Sequence, residues 1–512
     1  MFIKLALLLV FFAVTIAIGL YCRRHATDVN GFVLGGRSVG PWLTAFAYGT
    51  SYFSAVIFVG YAGQFGWRFG IASTWIGMGN AFIGSLLAWM VLGRRTRIMT
   101  QHLDSATMPE FFGKRYNSNM LKVVSSAIIF IFLIPYTASL YNGLSRLFAM
   151  AFDIDYIVCI IIMAVLTGIY VIAGGYMAAA INDFIQGIIM IFGIVAVILA
   201  VLNINGGFNE AMMSLALIED SASSSQPGIF TSIFGPEPFN LLCVVILTSL
   251  GTWGLPQMVQ KFYAIKSENS IKQGTFISTI FAFIVAGGCY FLGGFGRLYS
   301  SQVDISANGY DSIIPTMLSS LSPALIGLVV ILVLSASMST LSSLVMASSS
   351  TLTIDLLKGN IIKNMAEDKQ LRYIRILIVV FIGISVILAV IQYKQSVTFI
   401  AQLMGISWGA LAGSFLAPFL YGLYWKGTTK VACLVSFVFG SGIMISNMLF
   451  SNYFPTFLKS SINCGAFALL FGFIIVPVVS KFTTKLPTKD IEYAFSCYDK
   501  IIEVPQEFTL GK

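Results

Sequence analysis

The chain reads as a succession of apolar runs separated by short polar and charged loops. Thirteen runs are legible, at 2–22, 41–65, 69–93, 121–150, 155–173, 180–203, 238–260, 275–297, 320–354, 373–393, 398–424, 430–450 and 461–480. A helix needs about 20 residues to cross about 30 Å of hydrocarbon, and each run suffices; the longer ones predict tilt or interruption. Two runs carry helix-weakening residues in their middle. One holds Tyr48-Gly49-Thr50-Ser51-Tyr52-Phe53-Ser54, and the other Ser249-Leu250-Gly251-Thr252-Trp253-Gly254-Leu255-Pro256. The Gly-Thr pair recurs five spans apart, which predicts two five-helix repeats that each begin with a broken helix. Backbone groups freed at such breaks bind ions and solutes near the bilayer midplane. Glycine in membrane helices also serves close packing, which is the competing reading of each break taken singly.

A third irregularity is polar. Residues 335–353, SASMSTLSSLVMASSSTLT, place eleven hydroxyl side chains in nineteen residues, directly after the apolar run Ala324 to Leu334. Hydrocarbon cannot solvate them, so they need partners within the protein. Bonding to their own backbone carbonyls and small-residue helix packing are the ordinary explanations. The other is that they replace the water shell of a small hard cation. Ser339, Ser342 and Ser343 share one helix face at i, i+3 and i+4. Two oxygen sites can be built one turn apart: Ser339 and Thr340 with carbonyls of a broken helix, and Ser342 and Ser343 with a carboxylate. Asp183 is nearly the only acid inside an apolar run. An intramembrane acid marks an ion or proton site by default, whereas near a helix start it also serves as a cap.

Composition fixes the class. Of 512 residues 57% are hydrophobic and 10% charged, and the mean hydropathy is +0.87, as expected of an all-α polytopic membrane protein. The net charge of +9 does not imply nucleic acid. Arg23, Arg24, Arg94, Arg95, Arg97, Lys114, Arg115, Lys122, Lys261, Lys266, Lys272 and Lys358 fall in loops on one side, as do Lys363, Lys369, Arg372, Arg375, Lys426, Lys430, Lys481, Lys485 and Lys489. The positive-inside rule then puts the N-terminus outside and the C-terminus in the cytoplasm, in a multi-pass protein of the cell membrane. The expected organisation is a transmembrane domain over 1–480, with an extra N-terminal helix at 1–22, a core at about 41–424 and C-terminal helices at 430–480. A short cytoplasmic tail at 481–512 follows. The first run is expected to be a retained helix rather than a cleaved signal. Seven scattered cysteines read as packing residues. His25 and His102 sit in loops, which excludes a histidine-based site within the membrane.

Gln64, Asn80, Tyr136, Asn142, Gln257 and Gln402 are further polar residues of the apolar runs, and Trp75, Trp253 and Trp408 stand near the breaks. Ser51, Tyr52, Ser54, Gln64, Tyr136, Thr252, Trp253 and Gln257 are the candidate solute contacts, since a pocket combines apolar walls with a few polar groups. Arg146 is expected to snorkel.

These stretches together resemble the sodium:solute symporter family. Phe32-Val33-Leu34-Gly35-Gly36-Arg37-Ser38 is similar to its Gly-Gly-Arg segment. Gly174-Gly175 resembles its signature, with Tyr176 where Leu, Met or Phe is usual. Asn182-Asp183 with Gln186-Gly187, and Met338-Ser339-Thr340-Leu341-Ser342, match later segments in order. The resemblance implies a leucine-transporter-type (LeuT) 5+5 inverted-repeat core with alternating access. It implies a first sodium site at Thr50, Phe53, Ala336, Ser339 and Thr340. A second, present in some members, maps onto Asp183, Ser342 and Ser343, so one sodium is expected and two have residues to hold them. The branches most alike are the sodium/pantothenate and sodium/proline symporters. Tyr52 stands where the proline branch has an aspartate, Thr248 and Thr252 where it has an aromatic pair, and Tyr136 matches. Asn182-Asp183 and Gly254-Leu255-Pro256 resemble the pantothenate branch. The expected activity is sodium-coupled symport of a small carboxylate-bearing solute: pantothenate, an amino acid or a monocarboxylate. Sodium, the solute and the bilayer are the expected partners, with neither nucleic acid nor an obligate protein partner. Proton coupling through Asp183 is one alternative, and a non-transporting solute receptor is another. No nucleophile-base constellation suggests an enzyme.

Overall fold

The computed structural model of the chain describes residues 2–23, 27–152, 154–218, 227–305, 309–358, 360–362, 365–395, 400–499 and 502. Arg24, His25 and Lys363 lie outside the described residues. Within them the fold is helical, with two isolated bridges, Val39 to Ile265 and Lys358 to Ile362, and no strand. The principal helices are α1 (Phe2–Cys22), α2 (Pro41–Tyr52), α3 (Val56–His102), α4 (Asn119–Phe152), α5 (Tyr156–Ile204), α6 (Pro238–Gly254), α7 (Pro256–Ala264), α8 (Glu268–Tyr299), α9 (Pro323–Leu357), α10 (Glu367–Gln395), α11 (Ile400–Tyr424), α12 (Lys430–Phe450), α13 (Ser461–Phe482) and α14 (Thr488–Phe495). Among the described residues nine helices are long and apolar enough to cross a membrane, or ten if the bent pair α6 and α7 is one span.

That number is lower than thirteen partly because α3 and α5 each join two apolar runs through a single glycine. Gly70 (φ 63, ψ −142) and Gly175 (φ 57, ψ −151) have left-handed φ that an L side chain resists. The consequence is a reversal. The Tyr170 hydroxyl donates to the Met338 carbonyl at 2.6 Å, while Gly193 faces Leu332. On a straight helix residues 170 and 193 would lie about 35 Å apart, yet 338 and 332 are about 9 Å apart along α9. α5 therefore folds back at Gly175.

Both predicted breaks are present, with matching backbone. α2 ends at Phe53 (φ −84, ψ 123), and α6 ends at Leu255 (φ −84, ψ 122). Gly49, Thr50 and Phe53 stand at the same spacing as Gly251, Thr252 and Leu255. At the second break Pro256 forces the preceding residue into extended backbone. The first has no proline. There Thr50 and Ser51 turn their hydroxyls onto the carbonyls of Phe46 and Ala47, at 2.8 and 2.5 Å. α9 is buried from Val329 to Thr351, packed by α2, α4, α5 and α10, so its hydroxyls face protein throughout.

Candidate functional site

The helix end at Phe53 leaves the last carbonyls of α2 without helical partners. α9 crosses there and brings Ser339 and Thr340 to them. Ser339 Oγ lies 2.9 Å from Thr50 O and 3.1 Å from Ala336 O. Thr340 Oγ1 lies 3.1 Å from Thr50 O, 3.3 Å from Phe53 O and 3.0 Å from Ala336 O. All five residues are at most 1% exposed. Two hydroxyls own two protons and cannot donate into five oxygen contacts at once. The surplus is a cage of lone pairs facing one another, and a small cation between them removes that repulsion. The donor set of three carbonyls and two hydroxyls suits a hard monovalent ion.

Asp183 and Ser343 are linked through a residue the sequence did not suggest, while Ser342 is turned elsewhere. Lys261 does not lie in a cytoplasmic loop. It sits on α7, 3% exposed, with Nζ 3.0 Å from Ser343 Oγ, 3.8 Å from Asp183 Oδ2 and 5.1 Å from the centre of the Tyr176 ring. α7 continues the broken span four residues past Gln257, which draws the lysine inward. Asp183 is no helix cap either, because it lies two turns beyond Gly175 inside α5, fully buried, and neither carboxylate oxygen has a hydrogen-bond partner. Ser342 donates to the Ser339 carbonyl at 2.8 Å.

The candidate solute contacts separate. Tyr52 and Tyr136 flank the Trp408 ring, with centroids at 5.7 and 5.8 Å. Both tyrosine hydroxyls, the Trp408 indole N–H and the Ser54 hydroxyl are buried without partners. Gln257, 1% exposed at the start of α7, has both amide atoms unpartnered. Thr252 lines a narrow cleft with Tyr48, Tyr52, Asn80 and Thr248. Its hydroxyl is 2.8 Å from Ser249 O and 3.4 Å from Gly84 O, the carbonyl that Tyr48 reaches at 2.7 Å. Trp253 instead donates to Ile83 O at 3.0 Å, pinning α6 to α3. Ser51 faces Ser343 at 2.8 Å, away from the aromatic group. Gln64 lies about three turns beyond the break, on the stretch of α3 that packs against α8 and residues 310–314. Trp408, expected from the sequence only as an aromatic near the breaks, is the residue that brings Tyr52 and Tyr136 together.

Polar ties close both ends. On the charged side the Arg37 guanidinium donates to Tyr263 O at 3.2 Å, Ser105 O at 2.6 Å and Thr100 Oγ1 at 3.3 Å, and burial pushes Arg37 down to about 10. On the other, Arg146 keeps its side chain 34% exposed. Its Nε lies 3.9 Å from Asp311 Oδ2, which also accepts from the Ile400 N–H at 3.3 Å. Burial raises the Asp311 carboxyl above its usual range, opposed by Arg146 and that N–H.

The sodium:solute symporter family model matches residues 32–440, about four-fifths of the chain. Sodium/proline symporters of Staphylococcus aureus strains JH9 and COL are each 28% identical over 514 residues, covering 97% of this chain and 95% of theirs. A solved structure of a Na+-coupled sialic acid symporter, substrate-bound and outward-open, superposes with a TM-score of 0.74 at 16% identity, over 95% of this chain and 99% of that one. At that identity the likeness speaks for the fold, a LeuT-type helical core.

Proposed function

Because the chain belongs to the sodium:solute symporter family, we propose that the cage of Thr50, Phe53, Ala336, Ser339 and Thr340 holds its coupling sodium and that the pocket at Tyr52, Tyr136 and Trp408 takes the solute. The protein is a multi-pass membrane transporter that couples solute uptake to sodium, and it is not an enzyme. The observation that carries the ion site is the proton deficit of its five oxygens. Sodium there joins α2 to α9 beside the pocket wall at Tyr52, so ion and solute each raise the other's affinity. One sodium per cycle follows from this cage; a second would require Asp183, Ser342 and Ser343 to be open to a diffusing cation.

The solute is a small molecule with a carboxylate and a compact apolar body. The aromatic walls suit the body, while Ser54, Gln257 and the N–H groups at the start of α7 suit the charge. The names of the sequence relatives put proline first among solutes to test, although Tyr52 replaces the carboxylate of that branch. Division at Gly70 and Gly175, with the short α1 included, yields thirteen crossings, a core at 41–424 and helices 430–480 outside it. The cationic loops then face the cytoplasm, in a cell-membrane protein with its N-terminus outside. Proton coupling is disfavoured by the hydroxyl and carbonyl chemistry of the cage, and a pure receptor role by its coupling of ion to solute.

The test is uptake of labelled proline, pantothenate and short monocarboxylates into proteoliposomes, with an inward sodium gradient and with potassium in its place. Sodium-dependent accumulation of one solute, with the sodium requirement weakened in Ser339→Ala and Thr340→Ala, is the expected result. A sodium response equal to wild type in both variants sinks the cage as the ion site.

A further inference from the structure

The cluster at Asp183 already contains a cation. Lys261 Nζ is 3.0 Å from Ser343 Oγ and 3.8 Å from Asp183 Oδ2, and it lies over the Tyr176 ring at 5.1 Å. The side chains of Lys261 and Asp183 are 4% and 1% exposed. An ammonium has three donors and no acceptor; here one meets a hydroxyl, while a carboxylate at ion-pair distance and a π face surround the charge. Tyr176 is the position at which this chain departs from the signature's usual Leu, Met or Phe, and its ring supplies the third seat. An isolated charge is very costly in a membrane interior, so aspartate and lysine are mutually required. Resting on the reading of the oxygen cage as the coupling site, we propose that Lys261 is a built-in cation that occupies the Asp183–Ser343 site in place of a second sodium.

Electrostatics makes the exclusion strong. With the ammonium present the cluster is neutral, and a sodium ion added to it would leave an uncompensated charge in low dielectric. Chemistry agrees: Ser342 is turned to the Ser339 carbonyl, and Ser343 already bonds both Lys261 and Ser51. The tethered cation also differs from sodium in what it can do. It cannot leave, so it contributes no ion to the transport stoichiometry. It rides on α7, directly after the second break, and so ties that half-helix to α5 and α9.

Equilibrium binding of radioactive sodium to the purified protein in nanodiscs tests this. Wild type and Lys261→Arg should each bind one sodium at saturation. Lys261→Gln leaves Asp183 uncompensated and should bind two, and Asp183→Asn/Lys261→Gln should return to one. Two sodium ions in wild type overturns the proposal, as does one in a folded Lys261→Gln. Should Lys261→Gln fail to fold, Asp183→Asn/Lys261→Met removes both charges together, and two sodium ions in either that variant or wild type overturns the idea. The cage is scored separately. Loss of the wild-type ion in Ser339→Ala but not in Asp183→Asn/Lys261→Met keeps the coupling site whatever Lys261 does, and the reverse pattern overturns both assignments.

Discussion

At the scale of single residues, the proposed ion site rests on how many protons a group of oxygens owns. Thr340 Oγ1 touches three carbonyls within 3.3 Å and can donate to one. Thr340→Ala removes an oxygen of the proposed ion site, and Thr340→Ser restores it. A buried polar ligand of this kind is worth about 1–3 kcal/mol, so Thr340→Ala should raise the sodium concentration for half-maximal uptake roughly tenfold or more, while Thr340→Ser stays near wild type. A sodium titration of uptake at saturating solute checks both. The pocket makes the opposite demand. Trp408 contacts two tyrosine rings and no cage oxygen, so Trp408→Ala should weaken half-saturation for solute by at least as much and leave sodium binding in the absence of solute unchanged. Equal losses of both affinities would mean that Trp408 supports the fold of α11 rather than the solute.

At the scale of elements, two glycines make the turns on which the architecture depends. Gly175→Ala places a Cβ 2.9 Å from the Phe32 carbonyl and holds φ at +57. Left-handed backbone alone costs about 1–2 kcal/mol for an L residue, and the clash adds to it. The variant should melt several degrees below wild type in detergent, with lower yield, whereas Ala at Gly383, which faces open space, should not. Equal melting temperatures would deny that the reversal requires glycine. These elements also show what could be read from the sequence. Both breaks were legible because a Gly-Thr pair recurs five spans apart; the meeting of Ser339 and Thr340 with carbonyls of a broken helix was expected from the hydroxyls after an apolar run, and the specific carbonyls of Thr50, Phe53 and Ala336 only from the family resemblance. The reversal was legible as the gap between the runs 155–173 and 180–203, but the glycine that makes it was not, since a glycine pair in a membrane helix equally well serves packing. Lys261 was misread for a physical reason: a lysine at the end of an apolar run looks like a loop cation until a break four residues upstream of Gln260 shows that the helix has restarted and is carrying it inward. The pairing of Arg146 with Asp311 was not legible because the two are distant in sequence.

At the scale of the whole molecule, the residues proposed to hold the solute, Tyr52, Tyr136 and Trp408, are at most 6% exposed among the described residues. The cytoplasmic-type closure joins the loop before α2 to the ends of α3 and α7 through Arg37, and Arg97 adds a bond to Ile265 O at 2.6 Å. The tail reinforces the same face. Tyr498 donates to Leu423 O at 2.7 Å, the Arg95 guanidinium lies 4.5 Å from its ring, and His102 meets Tyr493 O at 2.8 Å. Opening toward this side must break the Arg37 fork, whereas opening toward the other leaves it intact. In the proposed orientation, the fork favours the population that sodium binds from outside, and its loss shifts the equilibrium the other way. Sodium can restore that population only through its differential affinity, so the shift appears as weaker apparent sodium binding, by tenfold for each 1.4 kcal/mol. Arg37→Ala should thus raise the sodium requirement without touching the cage. It should also speed labelling, from the charged side, of a cysteine placed at Ser343. Arg37→Lys, which keeps a point charge but loses the fork, should fall between. A weakened sodium response with unchanged labelling would assign Arg37 to general stability and remove it from the gate.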